Sequence, residues 1–123
     1  MPQVIFTDPE VAAVGMTEAE ARGSGRDVVT ARVPITAAAG VGLLRDDPRG
    51  AAQLVVDAGS GAVLGATFVG PEVADLVQAA TVAIVGAVPV HVLRHAVPSS
   101  PTASELWLRL LDDLPVALRA APR

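Results

Sequence analysis

With 123 residues and a net charge of −4, the chain has room for one hydrophobic core but not for a nucleotide-binding unit beside a separate substrate domain. All nine basic residues are arginines, with no run and no interleaved aromatics, so nucleic acid is not expected as a partner. The absence of cysteine excludes disulfides, thiolate metal sites and redox dithiols within the chain. No apolar run reaches membrane-spanning length and the start Met-Pro-Gln-Val has no signal-peptide character. The expected setting is therefore cytoplasmic, without membrane contact.

Val4, Ile5 and Phe6 form a β-prone run that breaks at Thr7-Asp8-Pro9, and residues 11–14 resume it before Gly15, which predicts strand, turn, strand. Thr17 and Glu20 have the spacing of a capping box, opening a short helix over 18–22 that Gly23-Ser24-Gly25 ends. Residues 27–35 alternate as a strand, with Val29, Ala31 and Val33 on one face against Thr30 and Arg32 on the other. From Thr36 to Gly50 the signal is weak, with small residues, three glycines and the polar turn Arg45-Asp46-Asp47-Pro48-Arg49, and the stretch reads as loop. Strands over 51–56 and 62–69 follow, joined by Asp57-Ala58-Gly59-Ser60-Gly61 as an antiparallel hairpin. Gly59, Gly61 and Gly65 come close to a dinucleotide fingerprint, but that motif must join a strand to a helix, and here it joins two strands.

Gly70-Pro71 ends the hairpin and predicts a helix with Pro71 in its first turn. Val73, Leu76, Val77, Ala80 and Ile84 line one face, while Val82, Val85 and the alanines make the other face apolar too. Such a helix is expected to be buried on both sides, either at a subunit interface or as a central core helix. A helical segment over 90–95 follows, carrying His91 and His95 at the spacing of paired metal ligands. No acidic residue lies between them and no cysteine exists to complete a set, so no metal is expected.

The chain closes with Pro101 and Thr102 before a helix whose apolar residues Leu106, Trp107, Leu110, Leu111 and Leu114 recur at helical spacing. Thr102 and Glu105 again have capping-box spacing, so Glu105 either caps this helix or serves in a site. Half of the sequence is hydrophobic, nearly all of it Ala, Val and Leu. Together with the doubly apolar helix, this aliphatic excess predicts that the chain forms a homodimer.

Three blocks together resemble the C-terminal interface domain of the pyridine nucleotide-disulfide oxidoreductases, the family of dihydrolipoamide dehydrogenase and mercuric reductase. Residues 2–21, from Pro2-Gln3-Val4-Ile5-Phe6-Thr7-Asp8-Pro9-Glu10 to Gly15-Met16-Thr17-Glu18-Ala19-Glu20-Ala21, are similar to the domain's opening. Gly61-Ala62-Val63-Leu64-Gly65-Ala66-Thr67-Phe68-Val69-Gly70-Pro71 resembles its hairpin return, and Pro101-Thr102-Ala103-Ser104-Glu105 its closing His-Pro-Thr-x-x-Glu motif. The resemblance covers nearly the whole chain. It implies an α+β fold, an antiparallel sheet flanked by helices, with residues 1–123 as a single dimerisation domain. It also implies a parent flavoprotein whose FAD and NAD(P)H domains lie upstream, outside this sequence.

In the family the closing motif reaches the partner subunit's flavin, where the His is acid-base and the Glu orients it. By that resemblance Ser99, Ser100, Pro101 and Thr102 face the partner's flavin, Ser100 stands at the histidine position and Glu105 at the orienting position. A serine hydroxyl does not accept and hold a proton near neutral pH, so the resemblance stops short of implying disulfide reduction. Two other functions remain open on the sequence alone. One is a free-standing homodimeric interaction domain with no redox role. The other is a hydrolase using Ser100 with His95 as base, which lacks the glycines of a nucleophile elbow.

Overall fold

The computed structural model describes residues 2–6, 10–35, 50–70, 73–96 and 103–119. Strands β1 (Gln3–Ile5), β2 (Glu10–Gly15), β3 (Val28–Pro34), β4 (Ala51–Asp57) and β5 (Val63–Gly70) form one antiparallel sheet in the order β1-β2-β5-β4-β3. Helices α1 (Glu18–Gly23), α2 (Leu76–Val85), α3 (Val90–Leu93), α4 (Leu106–Asp112) and α5 (Val116–Arg119) complete the α+β fold expected from the sequence. The hairpin of β4 and β5 forms as predicted, and β1 pairs with β2. The pairing of β2 with β5 unites the two units into one sheet.

The alternation of side chains across the strands explains how the core is built. Val33, Ala52, Phe68, Ala12 and Val4 lie opposite one another in register across all five strands, on one face. Phe68 thus has an alanine on either side, which leaves room on the sheet for its ring and for a second ring above it. That second ring is Trp107 of α4, with centroids 5.6 Å apart and planes tilted by 55°. Ala31, Leu54, Ala66 and Val14 form the neighbouring row on the same face. Leu76, Val77, Ala80 and Ala83 of α2 and Leu106, Leu110 and Leu111 of α4 pack over both rows in one continuous core.

The opposite face holds a smaller cluster, Ala21, Val28 and Val55 with Met16 and Leu64 packed against it, beneath α1. The capping box forms: Glu20 N donates to Thr17 Oγ1 at 3.1 Å and Thr17 N to Glu20 Oε1 at 3.3 Å. Beyond α1 this face turns polar, with Arg32, Gln53, Thr67, Ala13 and Gln3 in a cross-strand row. Between Val55 and Val56 the register slips, so Leu64 of β5 is an extra residue whose carbonyl accepts from Met16 N at 2.9 Å. Gly15, at φ +75°, pairs here with Gly65, and a Cβ on Gly65 would strike the Met16 carbonyl. Two facing glycines are what allow β2 to cross the bulge and turn into α1.

Three helix expectations change. Helix 73–84 begins as a 3₁₀ turn, Val73–Asp75, and α2 is buried on one side only, because Val82 and Val85 stay 56% and 83% exposed. In the single chain it is therefore not a central core helix: the sheet covers one face and nothing among the described residues covers the other. The segment expected over 90–95 closes at Leu93, and the last helix closes at Asp112, two residues before Leu114, with a 3₁₀ turn Ala103–Glu105 ahead of it. Pro71, Thr102 and all but the last residue of the 36–50 loop lie outside the described residues.

Candidate functional site

The closing motif is positioned by α4, and α4 is held by the sheet. Leu106 and Leu110 are fully buried, Trp107 meets Phe68, and the Asp113 carboxylate accepts from the backbone N of Arg32 at 3.0 Å. Arg32 lies on β3, an edge strand, so this bond also occupies an edge amide that would otherwise be open. Glu105 ends the 3₁₀ turn in αR conformation and is 9% exposed, the one buried charged side chain among the described residues. At that position it makes no side-chain capping bond to α4 itself. Ser99, Ser100, Pro101 and Thr102 lie outside the described residues, and so does the Thr102 half of the anticipated capping box.

The other candidates resolve differently. The Gly59–Gly61 turn is closed by Asp57, whose Oδ1 accepts from Gly59 N at 2.8 Å and Ser60 N at 3.1 Å, while its backbone carbonyl accepts from Gly61 N at 2.8 Å. Those amides hold the Asp57 carboxyl below its ordinary range, Ser60 most and Gly59 next, with Arg26 adding to the effect. Amides already taken by a carboxylate offer a phosphate neither donors nor a favourable field. The described residues therefore do not fit a dinucleotide at this turn.

His91 and His95 do not share a helix face, because α3 ends between them. Among the described residues no group of three or more His, Cys, Asp or Glu side chains is placed to hold a metal. Nor is any helix among them long and apolar enough to cross a membrane.

A feature the sequence reasoning missed lies beside α4. Ala79, Leu93, Ala96, Ser104, Trp107 and Leu111 line an open apolar cavity of about 130 Å³. Trp107 is 7% exposed and its indole Nε1 is buried without a hydrogen-bond partner among the described residues. The sequence signal was a single tryptophan in a chain otherwise almost free of large side chains. Ala79 at the rim also belongs to the outward face of α2, one turn from the exposed Val82.

A small α+β module with a well-filled core on one sheet face, and an apolar helix face left uncovered outside it, is built to associate. The chain belongs to the pyridine nucleotide-disulphide oxidoreductase family as its dimerisation domain, whose family model matches residues 1–110. It is 42% identical over 108 residues to the dihydrolipoyl dehydrogenase of Mycobacterium tuberculosis, an alignment covering 85% of this chain and 22% of that protein. With the dihydrolipoyl dehydrogenase of Haloferax volcanii it shares 36% over 113 residues, covering 92% and 24%. Among solved structures, the HOCl-induced flavoprotein disulfide reductase RclA from Escherichia coli matches with a TM-score of 0.85 at 27% identity, over 91% of this chain and 26% of that one. The chain thus spans about a quarter of the length of these relatives.

Proposed function

We propose that this chain is the dimer-forming module of an FAD-dependent NAD(P)H oxidoreductase, in which residues 1–123 act as one domain and the FAD and NAD(P) domains lie elsewhere in the parent polypeptide. The segment before α4, Ser99, Ser100, Pro101 and Thr102, completes the flavin site of the partner subunit, with Ser100 where the family carries its histidine and Glu105 at the orienting position. The uncovered face of α2, with Val82 and Val85 in solvent, is the observation that carries the association role. The family match and the dihydrolipoyl dehydrogenase relatives support the oxidoreductase context, and the description of RclA as a flavoprotein disulfide reductase supports the flavin.

A carboxylate beside an imidazole fixes its tautomer and raises its basicity, whereas a hydroxyl in the same place donates and accepts hydrogen bonds without storing a proton. With Ser100 the module therefore keeps the structural half of the motif and gives up the acid-base half. Light scattering on the 123-residue chain at micromolar concentration is expected to give the dimer mass, and a monomer mass there would overturn the association role. In the parent enzyme Ser100→His is expected to raise dithiol-linked turnover by about 10²–10⁴-fold if the parent carries a redox cysteine pair. Wild-type disulfide reduction that Ser100→His does not improve would overturn the assignment of Ser100.

A further inference from the structure

We draw no further inference here: the strongest candidate, the apolar cavity beside α4 lined by Leu93, Trp107 and Leu111, adjoins through Ala79 the uncovered α2 face already given the association role, and nothing among the described residues shows what else would fill it.

Discussion

Replacing Phe68 with alanine tests whether the helical layer is held to the sheet by the aromatic pair. Phe68 is fully buried between Ala52 and Ala12, neither of which can move a side chain into the space it leaves. Removing a buried phenylalanine from so rigid a site costs about 3–5 kcal/mol, and part of that, about 0.5–1.5 kcal/mol, belongs to the contact with Trp107. A chain of this length has a total stability of roughly 6–18 kcal/mol, so the loss is a large share of it. With a urea m-value of about 2 kcal/mol/M, the unfolding midpoint of Phe68→Ala should fall by about 1.5–2.5 M, read by circular dichroism at fixed protein concentration. A double-mutant cycle with Trp107→Leu should return a coupling of about 0.5–1.5 kcal/mol. A midpoint shift below about 0.5 M, or a coupling of zero, would show that α4 is anchored by something other than this pair.

Gly65→Ala places a Cβ against the Met16 carbonyl at the bulge and should destabilise by about 1–3 kcal/mol; a neutral result in thermal melting would contradict the close crossing of β2 and β5. Asp113→Ala leaves the Arg32 amide on the edge strand without its acceptor and should cost about 0.5–1.5 kcal/mol, with faster hydrogen exchange at that amide as the specific sign. Asp57 has its carboxyl held below the ordinary 3.8, so its stabilising effect is fully present above that value and disappears as pH falls through the lower folded value. Asp57→Asn keeps the acceptor but not the charge, and should lose less stability than wild type between about pH 5 and about pH 2 in acid titrations followed by circular dichroism. Equal acid sensitivity of the two proteins would contradict this role of the carboxylate.

Elements with a local cause were legible in the sequence. The capping box of Thr17 and Glu20 names its own helix, and the Asp57–Gly61 turn brings β4 and β5 together whatever lies around them. The pairing of β2 with β5 was not legible, because its partners, from Gly15 with Gly65 to Glu10 with Gly70, are far apart in the chain and no turn links them. Which of the two expected covers Val82 and Val85 have, the chain's own core or a second molecule, was not legible for a related reason. A valine looks the same in sequence whether its own sheet or a second molecule covers it, and only the fold reveals which face of α2 the sheet takes. At the candidate site, Glu105 was picked out by motif spacing. The cavity was not, since its wall draws on residues distant in sequence, from Ala79 of α2 and Leu93 of α3 to Trp107 and Leu111 of α4.

The anchoring of α4 bears on what a serine at position 100 means. Glu105 is carried at the start of a helix fixed by Leu106 and Leu110 in the core, by Trp107 on Phe68 and by Asp113 on the β3 edge. None of these contacts involves residue 100. The proposed loss of acid-base chemistry at Ser100 concerns a different segment of the chain from the uncovered α2 face with Val82 and Val85. The two proposed roles of the domain are assigned to different segments, joining subunits to the α2 face and serving the partner's flavin site to residues 99–102. Substitutions on the α2 face, such as Val85→Asp, should change the dimer equilibrium of the parent and lower its activity only through dissociation. Ser100→His should change turnover and leave the dimer equilibrium where it was.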